Sequence, residues 1–113
     1  MMRIAAAFLA TAALGLTLSA ASAESVSPYE MRYQTRSGTA LRASIESGSG
    51  TVAKLPKGAD GIVLRWCRPE IPFSTWQFGS PATWRTLLDE RACEIGWNGR
   101  VGYVDGTTLT PDR

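Results

Sequence analysis

The chain has 113 residues, with 12 Lys and Arg against 10 Asp and Glu, and it contains no histidine. The lack of histidine excludes His-based catalytic triads, Cys-His dyads and histidine metal ligands. The near-balanced and dispersed charge does not predict the clustered basic surface that nucleic-acid binding requires.

The first 23 residues have the three parts of a secretory signal peptide. Arg3 supplies a positive charge, an apolar run covers residues 4–18, and an Ala-Ser-Ala triplet at 21–23 gives a small-x-small cleavage site. An uncleaved membrane anchor is the alternative, but the run is shorter than the ~20 residues that a spanning helix needs. We therefore expect a periplasmic or secreted mature chain, residues 24–113, with no membrane span.

The mature chain holds two cysteines, Cys67 and Cys93. In an oxidising compartment an even pair predicts a disulfide, the alternative being two buried reduced thiols. Loop-closure entropy would then stabilise the fold by roughly 3–4 kcal/mol. That is a large share of the total for a single small domain, which is usually ~5–15 kcal/mol.

Short alternating segments separated by turn residues predict strands in the first half of the mature chain. These segments cover residues 31–35, 41–44, 51–55 and 61–66. The last of them is the best candidate for a central strand, with Ile62, Leu64 and Trp66 on one face.

Residues 67–90 differ in character from the strands around them. Two prolines between residues 68 and 73 prevent a regular ladder strand there. Ser80-Pro81 is typical of a helix start, and Trp84, Leu87 and Leu88 follow at helical spacing. The pattern predicts a short helix over about 81–89.

A β-hairpin is predicted near the end of the chain. Residues 92–97 and 100–104 flank Asn98-Gly99, a dipeptide typical of the type I′ turn. In the resulting register Cys93, Ile95 and Trp97 share one face with Arg100, Gly102 and Val104. Glu94 and Tyr103 pair on the opposite face. Many short strands and little helix together favour a small all-β barrel or sandwich.

Several short motifs resemble those of bacterial SH3-like domains. A Leu-Asn-Val-Arg-Ser-Gly-like start is matched by residues 40–44 (Ala-Leu-Arg-Ala-Ser). A strand ending in Leu-Pro-x-Gly is matched by residues 52–58, and a Val-rich strand by residues 62–64. The closing Asn-Gly-Arg-x-Gly-Trp-Val motif is matched by residues 98–104 (Asn-Gly-Arg-Val-Gly-Tyr-Val). The resemblance covers residues 40–109.

The resemblance implies a small SH3-like β-barrel with a long, partly helical insertion at about 67–90. The chain departs from the family at Ala92, where the family usually has a tryptophan before the final hairpin. We expect Trp76 or Trp84 from the insertion to fill the corresponding space. The insertion would then be part of the core.

No enzymatic activity is expected. If both cysteines are bonded, no thiolate nucleophile remains. Glu90 with either Glu94 or Asp89 could form a carboxylate pair for glycoside cleavage, but acidic residues at a helix end and on a strand are more often solvated. No Gly-rich phosphate loop joins a strand to a helix and the chain has no histidine ligand, so neither a cofactor nor a metal ion is expected.

Aromatic side chains are the remaining groups that could bind a ligand. Core packing explains most of them, including Trp66, while a partly exposed aromatic groove for a peptide or glycan is the alternative. The candidate ligand-binding residues are Phe73, Trp76, Phe78, Trp84 and Tyr103. Of these, Phe73, Trp76 and Phe78 lie in a predicted loop.

The resemblance implies a non-catalytic binding module that recognises peptidoglycan, a cell-wall peptide or a partner protein. An inhibitor or accessory subunit of an exported enzyme is the alternative. Both functions remain open at the level of sequence, because one fold hosts many functions.

Overall fold

The structure, a computed structural model, describes residues 26–112. The predicted signal peptide and its cleavage site lie outside the described residues. Within residues 26–112, no helix is both long enough and apolar enough to cross a membrane.

Residues 26–112 form one antiparallel sheet of seven strands that curls into a half-barrel. The strands are β1 (Arg32–Thr35), β2 (Thr39–Arg42), β3 (Thr51–Leu55), β4 (Ile62–Arg68), β5 (Ala92–Trp97), β6 (Arg100–Asp105) and β7 (Leu109–Pro111). Their spatial order is β3-β2-β6-β5-β4-β1-β7. Two helices, α1 (Phe73–Gln77) and α2 (Pro81–Asp89), lie between β4 and β5. The predicted all-β, barrel-like fold class is confirmed.

Strands β1 to β6 agree with the prediction to within a few residues, whereas β7 was not predicted. β3 has the predicted bounds, whereas β2 begins and ends two residues earlier than the predicted 41–44. Single 3-10 turns at Pro28–Glu30 and Gly106–Thr108 lead into β1 and β7. The concave side of the sheet forms the core, with Tyr33, Leu41, Ile62, Ile95 and Val104 all buried.

The β5–β6 hairpin has the predicted turn and register. Asn98 and Gly99 have φ values of 53° and 77°, as a type I′ turn requires at its two central residues. Cys93 is paired with Val104, and Glu94 with Tyr103. Glu94 and Tyr103 therefore lie on the convex face of the sheet, called the outer face below.

The predicted position of Trp66 is wrong. The pairing of β4 with β5 shifts by one residue between Leu64 and Trp66, so Arg65 is the extra residue of a β-bulge. Ile62 and Leu64 are buried before the bulge and Cys67 after it. Trp66 consequently leaves the core face and lies half-buried on the outer face.

The predicted disulfide between Cys67 and Cys93 is confirmed. The two cysteines are direct cross-strand partners on β4 and β5, and their sulfur atoms are 2.08 Å apart. Both side chains are buried. The bond joins the two strands at the base of the helical insertion.

Helix α2 begins as predicted, and its first turn is capped. The Ser80 hydroxyl accepts a hydrogen bond from the Thr83 backbone N–H at 3.3 Å, and Pro81 occupies the first helical position. The prediction of a loop before α2 is wrong in part, because residues 73–77 form α1. This helix begins where the Pro72 carbonyl accepts from the Trp76 N–H at 3.1 Å.

The two tryptophans of the insertion bind it to the core. Trp76 is completely buried, and its ring stacks on that of Trp84 with centroids 5.1 Å apart. The indole N–H of Trp84 donates to the Trp76 carbonyl at 2.7 Å. Trp76 also meets Tyr33 of β1, with ring centroids 6.5 Å apart. The insertion is therefore part of the core.

The C-terminal end of α2 is docked through Gly106. The Gly106 N–H donates to the Arg91 carbonyl at 2.8 Å, and its Cα lies against the carbonyl group of Leu88. Leu88 itself is buried in the core. This close approach fixes α2 against the turn that leads into β7.

Candidate functional site

The five candidate ligand-binding residues do not form one surface. Phe73 and Phe78, at the two ends of α1, are 48% and 83% exposed. Trp76 is buried and offers no surface to a ligand, because it fills the core beneath α2. Trp84 and Tyr103 are half-buried on different elements. Only Tyr103 joins a cluster on the sheet itself.

Four side chains on the outer face line up across four neighbouring strands. Arg42 of β2 is opposite Tyr103 of β6, Tyr103 is opposite Glu94 of β5, and Glu94 is opposite Trp66 of β4. The bulge in β4 places Trp66 at the end of this row. Directly opposed side chains in a sheet lie close enough to interact.

The rings of Trp66 and Tyr103 meet above Glu94. Their centroids are 5.6 Å apart in an edge-to-face arrangement, with an angle of 68° between the ring planes. The carboxylate of Glu94 accepts from the Nε of Arg65 at 3.2 Å, and only 16% of its side chain is exposed. The guanidinium of Arg68 lies 4.9 Å from the centroid of the Trp66 ring.

We call Trp66, Tyr103, Glu94, Arg65 and Arg68 the outer-face cluster. Reduced hydration raises the pKa of the Tyr103 phenol, and the charge and hydrogen bond of Glu94 raise it further. The two arginines oppose this rise in pKa in part. At neutral pH Tyr103 is therefore an uncharged donor to the Glu94 carboxylate.

Arg42 closes the row at its far end. Its guanidinium donates to the Ile45 carbonyl at 3.0 Å and to the carboxylate of Asp105 at 3.2 Å. Only 10% of the Arg42 side chain is exposed. Arg42 therefore lies opposite Tyr103 in the sheet and offers little surface of its own.

The cluster provides an aromatic surface of two rings at a steep angle, with the guanidinium groups of Arg65 and Arg68 beside it and the mostly covered Glu94 carboxylate beneath it. Such a surface suits a ligand with apolar faces and several hydrogen-bonding groups. Cys67, next to Trp66 in sequence, is bonded to Cys93 and therefore supplies no thiolate. Within residues 26–112, no three His, Cys, Asp or Glu side chains come together in a way that could hold a metal ion.

Sequence reasoning identified Tyr103 but missed Trp66, which was assigned to the core. A signal for its true position was present in the chain. Cys67 has to face the same side as Cys93 in order to bond with it, and Cys93 shares the core face with Ile95.

Comparison of the chain with protein-family models, with curated proteins and with solved structures found no match.

Proposed function

We propose that the chain is an exported, non-catalytic binding module with an SH3-like barrel, and that it recognises peptidoglycan through the outer-face cluster. The observation that carries this proposal is the half-buried edge-to-face pair of Trp66 and Tyr103 on the outer face. The Cys67–Cys93 disulfide fits an oxidising compartment such as the periplasm or the cell exterior.

The rigidity of the cluster favours binding. Its members project from β4, β5 and β6, the best-connected part of the sheet, and not from loops. Arg65 and Tyr103 both hold the Glu94 carboxylate, while Arg68 lies over the Trp66 ring. Side chains that are already ordered lose little entropy when a ligand binds.

The mixture of groups favours a sugar–peptide polymer over a purely apolar ligand. Aromatic rings pack against the apolar faces of sugar rings, and their polar tips remain free for hydrogen bonds. Arg65, which is more than half exposed, and Arg68 suit a ligand that also carries carboxylate groups. Peptidoglycan carries all three features.

We expect Trp66→Ala to weaken co-sedimentation with purified peptidoglycan about ten-fold, or ~1.4 kcal/mol, because it removes the larger ring of the pair. The assay compares the pelleted fraction across peptidoglycan concentrations at low salt. Val101→Ala is the matched control, since Val101 is 47% exposed on the same strand face as Tyr103, two residues away. If the wild-type protein does not pellet, or if both variants bind equally, the proposal is rejected.

A specific observation favours a second function, that of an inhibitor or accessory subunit of an exported enzyme. Phe78 follows α1 and is 83% exposed, which is unusual for so large an apolar side chain. Phe73, at the start of the same helix, is also exposed. An aromatic side chain that projects from a rigid support is typical of an interface hot spot.

This second function predicts one stoichiometric partner in a pull-down from periplasmic extract. The complex should re-form from purified components, and Phe78→Ser should weaken it about ten-fold because the aromatic anchor is lost. Val52→Ser provides the control, since Val52 is exposed on β3, outside the insertion. A complex that Phe78→Ser leaves unchanged would speak against this use of the insertion.

A further inference from the structure

A second concave site lies between the start of α2 and strand β7. The cavity has a volume of about 280 Å³ and is lined by Pro81, Trp84, Arg85, Thr110 and Pro111. It shares no residue with the outer-face cluster. Its lining combines one aromatic ring, two proline rings and one guanidinium group.

The wall formed by Trp84 is rigid and apolar. One face of its ring stacks on Trp76, with only 9° between the ring planes. Its single polar atom already donates to the Trp76 carbonyl at 2.7 Å. Trp84 therefore offers the cavity an apolar ring surface that cannot turn away. Pro81 and Pro111 add apolar surface and no backbone donors.

Arg85 is the charged donor of the cavity, and its side chain has no partner among residues 26–112. Its natural helical partner is Asp89, four residues later on α2. Asp89 is already bound by Arg36, whose Nη2 lies 2.6 Å from a carboxylate oxygen. Among the arginines of residues 26–112, Arg85 alone has a side chain that makes no hydrogen bond, ion pair or ring contact.

We propose that this cavity binds a ligand that carries a carboxylate beside a flat apolar ring. The ring would pack on Trp84 between the two prolines, and the carboxylate would accept hydrogen bonds from the Arg85 guanidinium. Arg36 acts as a positioning residue, because it holds Asp89 away from Arg85. This proposal does not depend on the function of the outer-face cluster.

Titration with phenylacetate, followed by heteronuclear NMR, tests the proposal. We expect saturable shifts of the Trp84 indole N–H and of the Arg85 and Thr110 amides. Arg85→Gln should weaken binding about five-fold, because it removes a charge-assisted hydrogen bond. Arg100→Gln is the control, since Arg100 lies in the β5–β6 hairpin and binds the Val52 carbonyl. Phenylacetamide lacks the negative charge of phenylacetate. Its affinity for the wild type should therefore be as low as the affinity of phenylacetate for Arg85→Gln.

The role of Arg36 has its own test. Arg36→Gln should weaken phenylacetate binding about two-fold, because the released Asp89 carboxylate then competes for Arg85. Adding Asp89→Asn to Arg36→Gln should restore wild-type affinity. A purely structural role for the Arg36–Asp89 pair predicts no such rescue.

Two sources could supply this ligand chemistry, a free organic acid or the C-terminus of a peptide. N-acetyl-glycyl-phenylalanine and phenylacetate distinguish them, and the tighter-binding probe identifies the source. The proposal is overturned if phenylacetate does not shift Trp84 and Arg85, or if phenylacetamide binds equally well. An unchanged affinity in Arg85→Gln overturns it as well.

Discussion

Replacement of Gly106 by alanine is expected to lower the free energy of unfolding by at least ~3 kcal/mol. A Cβ atom at this position would overlap the carbonyl oxygen of Leu88 and come within 3.0 Å of the carbonyl oxygen of Arg91. Both obstacles are backbone atoms, so a rotamer change cannot relieve the overlap. The end of α2 would have to move away from Gly106, and the buried Leu88 would be displaced with it.

Chemical denaturation followed by tryptophan fluorescence measures this effect. Gly50→Ala is the matched control, because a Cβ at Gly50 meets no atom within 4 Å. We expect the control to remain within ~0.5 kcal/mol of the wild type. A Gly106→Ala variant as stable as Gly50→Ala would contradict the close packing of α2 against the turn before β7.

Loss of the disulfide is expected to have an effect of similar size. The double variant Cys67→Ala/Cys93→Ala should be less stable by ~3–4 kcal/mol, as loop-closure entropy predicts for a sequence separation of 26 residues. The bond encloses both helices, so the unfolded chain gains most of its added freedom in the insertion. Alanine is the suitable replacement because both cysteines are buried in apolar surroundings.

A redox comparison separates the bond from the side chains that form it. Reduction of the unfolded wild type with a thiol should lower its stability to that of the double-alanine variant. The same reductant should leave the variant unchanged. Equal unfolding midpoints for oxidised wild type and variant would show that the bond contributes no stability.

Local signals predicted the elements whose geometry depends on neighbouring residues. Asn98-Gly99 adopts positive φ at low cost, so the hairpin and its register follow from the turn alone. Ser80-Pro81 combines a side-chain cap with a proline at a position that needs no N–H, so α2 begins where expected. In both cases the conformation that the local sequence favours is the one that the tertiary structure contains.

Features that depend on tertiary contacts were not predictable in the same way. Helix α1 has five residues, too few to leave a periodic pattern, and it is held by the burial of Trp76. The pairing of β2 with β6 joins distant segments and depends on Gly102, where any Cβ would press on Leu41 and on the Arg42 carbonyl. Composition gives no measure of such a close approach.

The candidate site was predictable only in part, for a reason of strand geometry. Tyr103 follows from the hairpin register, which is local. Trp66 depends on a bulge, and strict alternation along β4 places it on the wrong face. Trp76 and Phe78 are only two residues apart, yet Trp76 is buried and Phe78 is exposed. The way in which α1 packs on the sheet decides this difference.

The bulge in β4 also determines how the chain would respond to a change in its length. Removing one residue from a strand normally turns every later side chain to the opposite face. Between Val63 and Arg68, Arg65 is the one residue without a partner in β5, so its deletion would leave Leu64 and Trp66 on alternate faces and Cys67 opposite Cys93. Shortening β4 by this residue would therefore preserve the core and remove the positive charge of Arg65 from beside Glu94 and Tyr103.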